Sequence, residues 1–162
     1  MNQFVPPFYF QSTPVGVMFH HFHGGQFSKS QGSITAEELE RIILSLSNYR
    51  VISPDEWFYK TKNCSFEGSE VCLTFDDNLK CQYEIAVPIL DKFNIKAFWF
   101  IYTSPFQGKL EKLEIYRKFR QEYFSEIDSF YCLFFDRFQR DCPDEFRIFL
   151  ESDFQPERYL PE

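Results

Sequence analysis

Leu73-Thr74-Phe75-Asp76-Asp77-Asn78 is the stretch that decides the fold. With Val71 and Cys72 ahead of it, it begins as a short apolar run of the kind that forms a strand buried on both faces. The run stops on two adjacent carboxylates. Helical spacing follows from about Leu79 to Phe93, with Tyr83, Val87 and Leu90 on the buried side. A buried strand that carries charge at its C-terminal end, just before a helix, belongs to parallel α/β folds, where active sites gather at that edge. Pro88 lies inside the helical span and removes a helix hydrogen bond, which predicts a kink or a break there.

The same alternation extends in both directions. Val15 to His20 forms another short apolar run, and His21 to Ser33, with its three glycines, reads as a loop at the C-terminal end of that strand. Thr35 and Glu38 make a capping box for a helix whose Leu39, Ile42, Ile43 and Leu46 share a face. Tyr49 to Ile52 follows as a strand, Pro54 to Lys60 as a helical turn opened by proline, and Ala97 to Tyr102 as the strand after the acidic pair. Alternation of this kind predicts parallel strands joined by right-handed crossovers. From Lys109 to about Arg140 the chain is dense in charge, and Leu110, Leu113, Tyr116, Phe119 and Phe124 recur helically, which predicts two helices divided near Ser125. Cys142-Pro143 ends the second, and Asp144 to Leu150 suits one more short helix. The expected organisation is a lead-in over 1–14, an α/β domain over 15–105, a helical insertion over 106–150 and an irregular tail over 151–162.

Composition narrows the function classes. A chain of 162 residues, 44% apolar and 25% charged, suits about one globular domain. No apolar run is long enough to span a bilayer. The net charge of −7 repels a phosphate backbone and argues against nucleic acid as a partner. Twenty-two phenylalanines imply a core or groove built from flat rings. Five cysteines without a C-x-x-C pair suggest reduced thiols rather than a disulfide framework or a zinc clip. The opening Met1-Asn2-Gln3-Phe4-Val5-Pro6-Pro7 has no basic n-region, and a cytoplasmic location is expected.

Two clusters carry chemistry. Asp76 and Asp77 suit a pair in which one carboxylate binds a divalent cation and the other takes a proton from the bound water. Equally, Asp77 or Asn78 suits the capping of the helix that follows. His20, His21 and His23 are the only histidines, and they lie at the end of the first strand, on the same edge as the acidic pair. Three imidazoles so close together suit zinc or another transition metal, although in an extended chain His21 and His23 share one face and His20 points away. They suit equally a loop whose histidines pack or hydrogen-bond.

Thr74-Phe75-Asp76-Asp77 resembles the first motif of the polysaccharide deacetylases, the NodB-like group also called carbohydrate esterase family four, usually read T-F-D-D-G. Val17-Met18-Phe19-His20-His21 is similar to the strand that opens such domains, and Thr35 to Leu46, Val51-Ile52-Ser53 and Lys96-Ala97-Phe98-Trp99 occupy the places of the family's first helix, second strand and the strand after the motif. The resemblance covers roughly residues 15 to 105. It implies a partial (β/α) barrel that removes acetyl groups from N-acetylated poly- or oligosaccharide with a divalent metal, commonly zinc. Asp76 would be the general base that activates water, and Asp77 a metal ligand. His20 and His21, with His23 beside them, are the imidazoles available to join it.

The chain departs from the family in three places. Asn78 stands where the family has glycine. The second motif, H-[ST]-x-x-H, has no counterpart, because no histidine follows His23. The family's later strands and its acid histidine are also missing. The simplest expectation is therefore the N-terminal half of a longer deacetylase-like domain, whose open sheet edges call for a partner chain. The alternative is a non-catalytic remnant that binds carbohydrate or protein through its aromatic residues. A phosphoryl-accepting receiver would need an aspartate after Phe100-Ile101-Tyr102, where Thr103-Ser104-Pro105 stands, and haloacid-dehalogenase chemistry would need D-x-D.

Overall fold

A computed structural model describes residues 14–152. All of the expected lead-in except Pro14, and the tail beyond Ser152, lie outside the described residues. The chain divides between Thr103 and Ser104 into two compact units.

The first unit is an α/β sheet of four parallel strands flanked by helices, the fold class that the sequence predicts. Its strands are β1 (Val15–Phe19), β2 (Arg50–Val51), β3 (Glu70–Asp76) and β4 (Phe98–Phe100). Among the described residues every strand pairs with β3. Val71 faces Val15 of β1 and Val51 of β2, while Phe75 faces Phe19 of β1 and Trp99 of β4. A strand has two edges, so β2 and β4 must share the one that β1 leaves, β2 at its start and β4 at its end. This central position explains the unbroken apolar reading of β3: Val71, Cys72, Leu73 and Phe75 are all buried.

Helices supply the crossovers. Helix α1 (Ala36–Ser45) starts at the predicted box, with Thr35 Oγ1 accepting from Glu38 N and Glu38 Oε2 accepting from Thr35 N. Its Leu39 and Ile43 enter the core. Helix α2 (Pro54–Asn63) runs three residues beyond the predicted Lys60, capped by Ser53, and closes on Cys64 in the left-handed region at φ 48°. The break predicted at Pro88 takes a particular form. A π-helical turn occupies Gln82–Ala86 and α3 (Val87–Lys92) begins immediately after it, so Pro88, which has no N–H for the helix ladder, follows directly on the widened turn.

One face of the sheet is a stacked aromatic layer. Phe75 packs on Phe19 at 5.3 Å, Phe22 at 6.0 Å and Trp99 at 4.5 Å between ring centroids, all nearly parallel. Phe19, Phe75 and Trp99 share one register level across three strands, so side-chain alternation sends their successors to the other face together. On that face Met18 and Phe100 are 58% and 55% exposed.

The second unit comprises α4 (Lys112–Tyr123), α5 (Ile127–Asp141) and α6 (Pro143–Glu151). The division predicted near Ser125 and the break at Cys142-Pro143 are both present. Its rings form a continuous chain, Phe124 on Phe130, Phe130 on Phe134, Phe134 on Phe138 and Phe138 on Phe149, with centroids 5.2 to 6.1 Å apart. No residue described in this unit is buried.

Candidate functional site

Asp76 is the last residue of β3. Because Phe75 is opposite Phe19, the next residues along the two strands, Asp76 and His20, come side by side at the C-terminal edge of the sheet. The Nε2 of His20 lies 3.6 Å from Oδ2 of Asp76, within ion-pair reach but too long for a direct hydrogen bond. Both side chains are partly exposed, at 40% and 27%.

The chain leaves the strand through two consecutive left-handed residues, Asp77 at φ 71° and Asn78 at φ 52°. Asp and Asn tolerate this region better than other residues with a Cβ, which is how Asn78 stands where the resembled motif has glycine. The turn carries Asp77 out into solvent. Neither Asp77 nor Asn78 takes the first amide beyond the turn. The N–H of Leu79 is accepted instead by Oε1 of Gln82 at 3.1 Å.

The histidines separate. Phe19 and Phe22 both enter the core although they are three residues apart, so strict strand alternation breaks between them. His21 O and His23 N then bond Ile34 at 3.1 and 3.0 Å, extending the sheet edge by an isolated bridge at Phe22. His23 is held by its loop. Ser33 Oγ gives its proton to Ser30 O at 2.7 Å and accepts from Ser30 N at 2.9 Å, so the ring nitrogen Nδ1 of His23, also at 2.9 Å, must be the donor. Gly25, at φ 58°, allows the tight turn closed by paired Gly24 and Phe27 amides, and Gln26 then donates to Glu84 at 2.6 Å. That bond, and Lys80 after it, hold the Glu84 carboxyl below its ordinary range. An open cleft of about 470 Å³ lies here, with His23, Phe27, Glu37, Glu84 and Ile85 among its walls. Asp76 and Asp77 do not line it.

Asp77, which the resemblance offers to a divalent metal, and His20 and His21, the histidines expected to replace the family's missing ligands, are the candidate ion-binding residues. Among the described residues no group of three or more His, Cys, Asp or Glu side chains is gathered so as to hold an ion. His20 reaches Asp76, Asp77 points outward from its turn, and His23 is tied to Ser33. The residues described do not fit a complete zinc site.

No protein-family model matches the chain, and no curated protein matches it. Two solved structures are similar. IcaB from Ammonifex degensii is 25% identical with a TM-score of 0.48, over 54% of this chain and 37% of that one. The Streptococcus pyogenes deacetylase PplD in complex with acetate is 25% identical with a TM-score of 0.44, over 56% of this chain and 42% of that one. The chain spans less than half the length of either. What fold and site define together is an α/β protein with an acidic pair at the C-terminal end of its central parallel strand.

Proposed function

We propose that this chain is a polysaccharide deacetylase-like hydrolase unit directed at the N-acetyl groups of carbohydrate, with Asp76 as general base. The observation that carries the reading is the placing of the T-F-D-D carboxylates at the C-terminal edge of β3, with His20 brought to Asp76 by the neighbouring strand. Water would attack the carbonyl carbon of the acetamide while Asp76 takes its proton. The tetrahedral intermediate would then collapse with cleavage of the C–N bond as the proton held by Asp76 passes to the departing nitrogen, releasing acetate and the sugar amine and returning Asp76 to its carboxylate. No step is assigned to a metal, since the described residues do not assemble an ion site.

That no ion site is gathered among the described residues favours a second reading, in which the unit binds N-acetylated carbohydrate or a protein partner through its aromatic residues without turning it over. One experiment separates the two. Acetate release from N-acetylated sugar oligomers is measured with and without added zinc, alongside binding of the same oligomers. Release that falls about 10²- to 10⁴-fold in Asp76→Asn supports the hydrolase. Binding without release, unchanged by Asp76→Asn, supports the binding module.

A further inference from the structure

We infer that Gln82 is a positioning residue that fixes the Asp76–His20 pair by holding the backbone of both strand ends. The inference rests on reading that pair as the reacting edge. Gln82 has no exposed surface at all. Its Nε2 donates to His20 O at 2.8 Å and to Asp76 O at 2.6 Å, and its Oε1 accepts from Leu79 N at 3.1 Å. A primary amide has two N–H donors, and both are spent on the carbonyls of the two residues whose side chains meet. His20 follows the last residue of β1 and Asp76 is the last residue of β3, so both carbonyls stand at strand ends. Here a single buried side chain takes both of them, from residues 56 positions apart in the chain, and accepts the amide that follows the left-handed turn.

The location fits the role. Gln82 opens the π-helical turn, and such widened turns are found repeatedly at functional sites. No other amino acid reproduces the three bonds. Glu retains an acceptor but has no N–H to donate, Met keeps the length without polarity, and Asn carries the amide on a stem one carbon shorter.

The test is nuclear magnetic resonance at one fixed pH on ¹⁵N-labelled protein, reading the His20 ring nitrogens together with the backbone amides of His21 and Asp77. Those amides belong to the peptide groups whose carbonyls Gln82 holds, so they report its hydrogen bonds directly. The His23 ring, tied to Ser33, is the internal standard. In Asp76→Asn the His20 ring signals should move while His23 stays. Gln82→Glu and Gln82→Met should move the two amides and also shift the His20 ring, again sparing His23, with a smaller displacement in Gln82→Asn. Amides that move while the His20 ring keeps its wild-type position in folded variants would overturn the inference. If Gln82→Glu and Gln82→Met both fail to fold, Gln82→Asn decides by the same criterion. A His20 ring indifferent to Asp76→Asn refutes the pairing itself, a separate failure from indifference to Gln82.

Discussion

Single positions in this chain are set by register and by backbone sign. His20 meets Asp76 because each follows a member of the Phe19–Phe75 pair, and a slip of β1 by one residue would turn His20 to the face opposite Asp76. The turn after Asp76 makes a sharp prediction. Asn78 sits at φ 52°, so Asn78→Val should cost about 1–2 kcal/mol in urea unfolding, whereas Asn78→Gly should cost nothing. The cysteines make another. Burial pushes the Cys72 thiol up, and Cys81 is buried, while Cys64, Cys132 and Cys142 are exposed. A thiol reagent under native conditions should label those three rapidly and reach Cys72 and Cys81 only on unfolding, as mass spectrometry of the labelled peptides would record.

The secondary-structure elements are held by their ends. Thr35→Ala removes half of a capping box and should cost about 1 kcal/mol, read as a lower urea midpoint with unchanged slope. Lys60, in the last turn of α2, bonds Ser65 O, Glu67 and Glu70, and Glu70 in turn accepts from the N–H groups of Glu67 and Gly68 at the start of β3. The Lys60 bond, with the backbone amides assisting against burial, lowers the Glu70 carboxyl from its ordinary 4.5 to about 2. Glu70 therefore favours the folded state fully above pH 4.5, and that contribution is lost as pH falls through 2. Lys60 is raised by the same partner, so its contribution is complete below its ordinary 10.5 and disappears only at higher pH. Thermal melts between pH 5 and pH 2 should show an acid limb that Glu70→Gln flattens. Much of this architecture is legible in the sequence, because burial periodicity, capping boxes and proline positions are local signals. The strands at Val15, Tyr49, Val71 and Ala97, and the Asp76-Asp77 edge, all follow from them. Gln82 and the Lys60–Glu70 pair are not legible, since a glutamine in a helical run reads as surface until β1 closes over it from 62 residues away. The separation of the histidines is equally beyond local spacing, since it follows from the bend between Phe19 and Phe22.

At the scale of the whole molecule, stability concentrates in the aromatic layer of the first unit. Phe75 is fully buried among Phe19, Phe22 and Trp99, and Phe75→Ala should cost about 3–5 kcal/mol of unfolding free energy, measured by denaturant titration of the circular dichroism signal. The helical unit is organised differently, with rings that touch one another and yet remain partly open to water. The dependence of the sheet on β3 has a consequence for how the protein is made. Strands β1 and β2 have no ladder partner other than β3 among the described residues, so neither can be consolidated while the ribosome has yet to release residues 70–76. Sheet assembly is thus non-vectorial: nascent chains stalled before β3 should remain open to chaperones and proteases, and the first half of the unit becomes protected in one step once that strand emerges.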